Sequence, residues 1–405
     1  MRLRSQLPGY SPLSAGALAR SLIGGLPGGR HPVDAVRELL AERFGGTPVL
    51  LSSGTHALQT ALELATGAPD LADGPVALPA YSCFDLLTAA VGSGVRVDFY
   101  DIDPSTLTPD LDSLDQVLSR GARVVVAGNL YGRPLDWDAI RSRVESVGGL
   151  LIEDAAQGLG STWMGRTGGT FGDATVLSFG RGKGWTGGGG GALLLRDTRL
   201  TAGAQGSALR PAGSIRPWLG SLAQWVLGRP SIYGLPRSLP FLSLGETVYK
   251  EPTPPEALSN RSAILISATR KAAEDELEAR RRWADVWDRK LPEGPWISVR
   301  ELPAGTGAYL RYPVVTASAS IRHRLLARLD RFGAASGYPR ILPDLPEARE
   351  IGALPPQRDL KGARALVSTL FTLPTHSRVA ERDVSEAILA FQVVREECPT
   401  PGQDV

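Results

Sequence analysis

A lysine surrounded by small residues is the first feature of this sequence whose residue types suggest chemistry. Lys183 lies in a segment, 177–186, that has glycines on both sides of the lysine and is followed by five more glycines and an apolar run over 192–195. A lysine amine can bind an aldehyde as a Schiff base, and small neighbours let a buried aldehyde approach it. Ser178 can donate a hydrogen bond to a phosphate on the same ligand. The segment therefore predicts a covalent site for a phosphorylated aldehyde.

Nucleotide-binding loops are the alternative for this glycine-rich segment. A P-loop would require a glycine in place of Leu177 and a hydroxyl residue in place of Gly184, and the sequence has neither. A dinucleotide-binding loop needs glycines that open a helix, whereas these glycines precede a predicted strand. Both nucleotide motifs are therefore excluded.

A second segment, 151–158, is an apolar run that ends in two acids and small residues. Asp154 can pair with a protonated pyridine nitrogen, which keeps the ring able to stabilise a carbanion. Gln157 can hydrogen-bond a phenolic oxygen on such a ring. The alternative is that both acids only cap the following turn, and this is the interpretation that we prefer for Glu153.

A third segment, Ser53 to His56, follows a short apolar run and opens a predicted helix. Gly54 permits close approach of the backbone, Thr55 adds a hydroxyl donor, and the amides and dipole of the helix N-terminus favour a phosphate. An ordinary helix cap would explain this segment by itself. Together, however, the three segments supply a phosphate site, a partner for a ring nitrogen and a lysine, which are the groups that pyridoxal phosphate (PLP) requires.

Alternating helical stretches and short apolar runs must position these segments. Residues 32–44 predict an amphipathic helix that Gly45 and Gly46 end, and apolar runs then alternate with helical stretches as far as residue 195. This order favours an α/β fold in which helices cover a mostly parallel sheet. The functional groups should lie at the ends of the strands.

The chain of 405 residues exceeds the usual size of a single core, so we expect more than one domain. A large PLP-binding domain is predicted over 1–255, with an irregular insertion at about 200–255. A bridging helix over 256–294 should lead to a small C-terminal α+β domain over 295–395. A tail over 396–405 should end the chain.

Charge and cysteine content exclude several partners. The net charge of +2 comes from balanced acids and bases without a long basic block, so nucleic acid is not an expected partner. Cys83 and Cys398 form no disulfide framework, and with four scattered histidines they predict no metal site and a reducing, cytoplasmic location. The sequence shows no secretion signal and no uninterrupted apolar span for a transmembrane segment.

One stretch, Pro217 to Leu244, is rich in Trp, Leu and Ile. Arginines and prolines interrupt it, so it is too broken to cross a membrane. Peripheral contact with a membrane or a partner is one interpretation. A buried insertion interrupted by prolines is the other.

In this order the three segments resemble those of the DegT/DnrJ/EryC1/StrS family of PLP-dependent aminotransferases, best known as nucleotide-sugar aminotransferases. The similarity extends over nearly the whole chain and is firmest over 53–58, 79–103, 129–132, 153–160 and 178–191. Residues 373–376, followed by 383–384, also resemble the closing segment of the family. It implies the aspartate-aminotransferase-like PLP fold (fold type I) and a homodimer with shared active sites. It also implies transfer of an amino group from an amino donor such as glutamate to the keto group of an acceptor, a nucleotide-linked sugar.

The resemblance also implies a role for each predicted site residue. Lys183 would hold the cofactor as a Schiff base and move the proton, and Asp154 would face the ring nitrogen. Gln157 would contact the ring oxygen. The phosphate would be held from two places in the sequence by Gly54, Thr55, His56 and Ser178.

Two features depart from the family pattern. The aromatic residue that usually stacks on the ring aligns with Cys83, with Tyr81 and Phe84 nearby, and Cys83 is better explained as a packing residue than as a nucleophile. The segment Gly-x-Asn-x-Arg, through which the neighbouring subunit reaches the phosphate, is replaced by residues 245–250. Three residues could substitute for it: Tyr249, Lys250 and Asn260.

Arg340 lies in a loop like those that border acceptor pockets in the family, and it is a candidate substrate residue. Two other functions stay open: PLP-dependent elimination or other carbanion chemistry, and a non-catalytic PLP-binding protein with a regulatory or scaffold role. Dehydratases of the family carry a histidine at the position of Lys183, which argues against elimination. The intact Lys183, Asp154 and Ser178 argue against a non-catalytic role, whereas the altered segment 245–250 keeps it open.

Overall fold

The structure, a computed structural model, describes residues 4–24, 31–204, 209–213, 215–234, 247–354 and 359–398. The strands are β1 Thr47–Leu51, β2 Val76–Pro79, β3 Val97–Tyr100, β4 Val124–Gly128, β5 Leu150–Asp154, β6 Thr162–Trp163, β7 Arg166–Thr167, β8 Ala174–Ser178, β9 Gly191–Leu195, β10 Arg210–Pro211, β11 Glu256–Ala257, β12 Trp296–Ser298, β13 Gly305–Thr306, β14 Tyr312–Thr316, β15 Ala335–Ser336 and β16 Leu370–Leu373. The helices are α1 Ala15–Ile23, α2 Pro32–Phe44, α3 Gly54–Thr66, α4 Asp85–Ser93, α5 Leu111–Ser119, α6 Trp137–Ser146, α7 Thr198–Ala204, α8 Ile215–Leu227, α9 Asn260–Lys290, α10 Ala319–Leu329, α11 Pro346–Glu350, α12 Lys361–Thr369 and α13 Glu381–Glu397.

A nine-stranded sheet forms the larger part of the fold, in the order β10-β11-β1-β9-β8-β5-β4-β2-β3. Every neighbouring pair from β8 to β3 is parallel, whereas β9 runs antiparallel to both β1 and β8. All residues of β8 and β9 are buried, as expected for strands that helices cover on both faces. The predicted α/β class with a mostly parallel sheet is confirmed.

Local signals set the helices beside this sheet. α2 begins with Pro32 and ends before Gly45, whose φ of 71° lies in the left-handed region, so its bounds are those that the sequence predicts. α3 begins after Ser53, whose hydroxyl accepts a hydrogen bond from the His56 amide. The strand–turn–helix unit predicted around residues 49–64 is therefore present, and it brings the N-terminus of α3 to the sheet.

A second, antiparallel sheet lies in the C-terminal part of the chain, in the order β12-β14-β16-β15. Its apolar residues form a core of their own with α10 and α13, in which Phe371 and Phe391 are fully buried. The 31-residue helix α9 starts at the cap Ser259, and near its other end the Trp287 indole donates to the carbonyl of Pro374 at 3.0 Å. α9 thus leads from the large sheet to the second one.

The insertion predicted as irregular over about 200–255 is partly helical. Residues 215–227 form α8, so the prediction is wrong for this stretch. Pro217 lies in the first turn of α8, where backbone N–H groups have no acceptor within the helix. The missing N–H of proline therefore does not interrupt α8. Residues 235–246, which include the end of the Trp- and Leu-rich stretch and the start of the altered segment, lie outside the described residues, as do residues 399–405 of the predicted tail.

None of the helices among the described residues is long and apolar enough to cross a membrane.

Candidate active site

A pocket opens where β5 and β8 end and α3 begins. Its walls come from Gly54, Thr55, Leu58, Cys83, Asp85, Leu86, Asp154, Ala156, Gln157, Val176, Ser178 and Lys183. We call this the inner pocket. Seven of the predicted site residues line it and come from four separate segments of the chain: Gly54, Thr55, Cys83, Asp154, Gln157, Ser178 and Lys183. His56, Arg340 and the three candidates for the altered segment do not line it.

Gly54 lets the N-terminus of α3 approach the end of β8. A Cβ atom at this position would lie 2.7 Å from Cβ and 2.9 Å from Oγ of Ser178, which is closer than real side chains come. Ser53 caps the helix by accepting the His56 amide at 3.0 Å. Thr55 and Ser178 consequently lie in one pocket beside the positive end of the helix dipole, an arrangement that suits a phosphate.

Glu153 and Asp154 are adjacent on β5 but have different surroundings. The Glu153 carboxylate is fully buried and accepts hydrogen bonds from the amides of Gly169 at 2.6 Å and Phe171 at 2.8 Å and from the Thr175 hydroxyl at 3.1 Å. It holds the loop after β7 and the start of β8, and not the turn that follows β5, so the turn-capping role preferred for Glu153 is wrong, although its role is structural.

Asp154 instead faces the inner pocket. Its Oδ1 accepts the amide of Ala156 at 3.0 Å. Burial raises the pKa of Asp154, while the Ala156 amide and the Lys183 ammonium oppose that rise. A cationic ring nitrogen in the pocket would favour the ionised carboxylate in the same way as Lys183 does.

Gln157 is held on both sides, so its orientation is fixed. Its Oε1 accepts the amide of Tyr131 at 2.9 Å, and its Nε2 donates to the hydroxyl of Tyr338 at 2.8 Å. Tyr338 comes from the C-terminal part of the chain, 181 residues away. Gln157 therefore joins the inner pocket to that part of the fold.

Three tyrosines pack together beside Gln157. The ring of Tyr338 stacks on Tyr131 at 6.0 Å and meets Tyr81 edge-on at 5.2 Å. The Tyr81 hydroxyl accepts the Tyr338 amide at 3.0 Å. Gly337 makes this approach possible, since a Cβ there would lie 2.0 Å from the Tyr81 hydroxyl. The sequence did not predict Tyr131 and Tyr338 as site residues; the only signal was the position of Tyr338 two residues before Arg340.

Cys83 lines the inner pocket where the family usually has an aromatic residue. Burial, followed by the neighbouring Asp85 carboxylate, raises the pKa of the Cys83 thiol to about 12. The thiol is therefore protonated at neutral pH, which agrees with a packing role and not with a nucleophile. Asp85 is a second acid in this pocket that the sequence did not predict as a site residue.

The His56 ring lies outside the lining of the inner pocket. Its Nδ1 is 2.7 Å from the Ser52 hydroxyl and its Nε2 is 2.9 Å from the Thr253 hydroxyl. Burial lowers the pKa of His56. The ring therefore joins the start of α3 to the segment before β11.

Arg340 and the three candidates for the altered segment are not in the lining of the inner pocket. Arg340, Lys250 and Asn260 are exposed. Tyr249 is partly buried, and burial raises the pKa of its phenol to about 12. Any contact that Arg340, Lys250 or Asn260 makes with a cofactor would therefore have to come from a surface position.

A second, wider cavity of about 250 Å³ adjoins the inner pocket, and Gln157 and Lys183 line both. We call it the outer cavity. Its other walls come from Pro8, Gly9, Tyr131, Arg181, Gly182, Thr247, Leu310, Arg311, Ala335, Ser336, Gly337, Tyr338 and Thr372. Lys183 lies at the junction, so a group bound to it in the inner pocket could meet a second molecule in the outer cavity.

The residues of the inner pocket fit PLP. The α3 N-terminus with Thr55 and Ser178 suits its phosphate, Asp154 suits its ring nitrogen, and Lys183 suits its aldehyde. The donor set contains each kind of group that the cofactor needs within one pocket.

Residues 37–228 match the model of the DegT/DnrJ/EryC1/StrS aminotransferase family. This part of the chain is similar to that family. The match includes Lys183, Asp154 and every other lining residue of the inner pocket. The resemblance found in the sequence is thus confirmed where the site lies.

Curated relatives cover only part of the chain. A dTDP-4-dehydro-2,3,6-trideoxy-D-glucose 4-aminotransferase of Saccharopolyspora spinosa is 35% identical over 153 residues, which are 38% of this chain and 39% of the relative. An L-glutamine:2-deoxy-scyllo-inosose aminotransferase of Streptomyces kanamyceticus is 32% identical over 193 residues, 45% of this chain and 44% of the relative. The chain therefore aligns with less than half the length of these relatives.

Solved structures extend the likeness to nearly the whole fold. PseC of Helicobacter pylori, an aminotransferase involved in the biosynthesis of pseudoaminic acid, superposes with a TM-score of 0.75 at 17% identity and covers 97% of this chain and all of that structure. The predicted aspartate-aminotransferase-like fold is confirmed by this likeness. The similarity outside residues 37–228 is one of fold.

Proposed function

We propose that this protein is a PLP-dependent aminotransferase that moves an amino group from an amino acid, such as glutamate, to the keto group of a nucleotide-linked sugar. The observation that carries the proposal is the convergence of Lys183, Asp154, Ser178 and Thr55 on one pocket within the family match. The two curated relatives support amino transfer, since one is a dTDP-4-dehydro-2,3,6-trideoxy-D-glucose 4-aminotransferase and the other is an L-glutamine:2-deoxy-scyllo-inosose aminotransferase.

The chain's own groups divide the work of binding. The amides at the start of α3, with the Thr55 and Ser178 hydroxyls, hold the phosphate. Asp154 holds a proton on the ring nitrogen as an ionised carboxylate. Gln157, fixed by Tyr131 and Tyr338, presents its amide beside the ring oxygen. When bound, PLP supplies an electron sink for the carbon that carries the amine.

Lys183 then acts twice at the junction of the two cavities. Its amine would hold the cofactor at its aldehyde and would be released when a donor amine takes its place. The free amine would then move a proton between the α-carbon of the donor and the cofactor, and in the opposite direction for the acceptor. One lysine within reach of both cavities explains how a single site can use donor and acceptor in turn.

We predict that an amino donor alone changes the cofactor spectrum. L-glutamate or L-glutamine, added to the PLP-loaded protein, should convert its absorbance to that of the pyridoxamine form, because the first half of the reaction needs no acceptor. A nucleotide-linked keto-sugar should then restore the first spectrum and yield an amino sugar. Restoration by free keto acids alone would support the proposed aminotransferase activity but contradict a sugar as the acceptor. No change with any amino acid would favour elimination or a non-catalytic role.

We also propose that the protein works in the cytoplasm as a homodimer with shared sites. The similarity to the family over residues 37–228 and the free thiols of Cys83 and Cys398 support this assignment. Tyr249, Lys250 or Asn260 would then complete the phosphate site of the partner subunit. The proposed domains remain those of the sequence, with the large domain over 1–255, the bridging helix over 256–294 and the small domain over 295–395.

Light scattering of the PLP-loaded protein should give about twice the chain mass of 43.0 kDa. A pair of variants, one with Lys183→Ala and one with Asn260→Ala, tests the shared site by mixing. If Asn260 serves the partner, the mixed dimers should recover part of the activity that each variant lacks. A fully active monomer would contradict both the dimer and the shared site.

A further inference from the structure

Arg311 lies just before β14 and lines the outer cavity that Lys183 also lines. Its guanidinium is held by three hydrogen bonds to neutral groups. Nε donates to the Thr372 hydroxyl at 2.5 Å, and Nη2 donates to the carbonyls of Gly333 at 2.9 Å and Thr372 at 3.0 Å. The planar group is thus fixed in orientation before any ligand arrives.

No carboxylate of the described residues forms an ion pair with Arg311. Burial lowers its pKa to about 10, so the guanidinium is still charged at neutral pH. Arg280, a more deeply buried arginine, differs because its Nε lies 3.7 Å from the Glu276 carboxylate. An enclosed charge without a counter-charge is costly, and an anionic ligand would remove that cost.

The rest of the outer cavity carries charge of the same sign. Arg181 and Lys183 also line it, and its described lining includes no Asp or Glu. The inner pocket, by contrast, contains Asp85 and Asp154. An anion would therefore be favoured in the outer cavity, on the side of Lys183 away from the acids.

We infer that Arg311 binds the α-carboxylate of the amino donor. The inference rests on the proposed function, since it needs the donor amine to reach a cofactor on Lys183. An amino acid carries its carboxylate one carbon from its amine, so amine and carboxylate can face Lys183 and Arg311 across a cavity of about 250 Å³. Nη1 makes none of these three hydrogen bonds, and its N–H groups can donate charge-assisted hydrogen bonds to a carboxylate, which also selects amino acids over simple amines.

Arg311 has no sequence feature that predicts a binding role. It stands in Tyr309-Leu310-Arg311-Tyr312, an apolar stretch where one arginine could equally be a solvated edge residue. Arg340, the arginine that the sequence did suggest, is exposed and lies outside the lining of both cavities. Arg311 and Lys183 line the same cavity because the second sheet packs beside the large one.

Arg311→Gln tests the assignment, because glutamine keeps an N–H donor for the Gly333 and Thr372 carbonyls but removes the charge. Glutarate, which has carboxylates and no amine, is titrated into the PLP-loaded protein by calorimetry, and UDP serves as the probe for a nucleotide diphosphate. The Kd for glutarate should rise about 10- to 100-fold, as expected for loss of a charge-assisted hydrogen bond, and the KM for L-glutamate should rise with it. The Kd for UDP should stay unchanged.

Arg364→Gln is the matched control, since Arg364 is exposed on α12 and pairs with Asp344. It should leave both Kd values unchanged. Arg311→Lys keeps the positive charge but removes the planar guanidinium, so the Kd for glutarate should rise less than in Arg311→Gln. This variant keeps the inference testable if Arg311→Gln unfolds. A folded Arg311→Gln protein whose affinity for glutarate is unchanged would overturn the inference. The inference would also be overturned if this variant bound UDP more weakly but glutarate equally well. Absence of PLP on Lys183 in the unsubstituted protein would instead remove the proposed function.

Discussion

Replacing Lys183 with alanine should abolish covalent attachment of PLP and lower the rate of amino transfer by about 10⁴-fold. The effect is large because one amine serves both as anchor and as proton carrier, so two contributions are lost together. Borohydride reduction of the PLP-loaded protein, followed by peptide mass mapping, measures the attachment. The spectral half-reaction with L-glutamate measures the rate.

The surroundings of Lys183 explain why no other lysine should replace it. Gly182, with φ of 77°, turns the backbone into the left-handed region immediately before the lysine, where a larger residue would be strained. Of the five lysines in the sequence, Lys183 alone lines the inner pocket. Free PLP can label exposed lysines, so the adduct must be mapped and not merely counted.

Lys271→Ala is the control for this experiment. Lys271 is exposed on α9 and pairs with Asp275 at 2.8 Å. Its replacement removes a lysine of the same chemical type without touching either cavity, so labelling and rate should match those of the unsubstituted protein. An adduct at Lys250 or another lysine, or a Lys183→Ala protein that keeps its turnover, would contradict the central assignment.

The parts of the site that the sequence predicts are those encoded locally. Ser178 and Lys183 are separated by five positions, and Asp154 and Gln157 by three, so each pair belongs to one strand end and one turn. The small residues and apolar runs around these pairs allow their roles to be predicted even when the fold is not known. The bounds of α2 are predicted for the same reason, because Pro32 and Gly45 act within one turn of the chain.

The parts that the sequence does not predict depend on packing between distant segments. Tyr338 reaches Gln157, and Arg311 reaches the cavity beside Lys183, only through the position of the second sheet. Neither residue has a neighbour in sequence that shows its role. α8 was missed for a different reason: residues 200–255 contain many Pro, Gly and Ser residues and were therefore predicted to be irregular, although a proline in the first turn is compatible with a helix.

Asp154→Ala should impair PLP binding and catalysis, whereas Glu153→Ala should impair stability, although the two acids are adjacent. Asp154 faces the inner pocket, so its loss should weaken PLP binding and lower the rate by about 100-fold or more, because the ring nitrogen loses the charge that keeps it protonated. The free energy of unfolding of the empty protein should change little, since an enclosed carboxylate with a raised pKa contributes little to stability.

Glu153→Ala should instead lower the free energy of unfolding by about 3 kcal/mol, because it leaves the amides of Gly169 and Phe171 and the Thr175 hydroxyl without their acceptor. Urea denaturation of the empty proteins measures this loss of stability. PLP titration and the rate of the half-reaction measure the loss of affinity and activity expected for Asp154→Ala. Each variant is the control for its neighbour. Equal losses of PLP affinity in both variants, with equal stability, would show that β5 does not turn Asp154 toward the cofactor and Glu153 away from it.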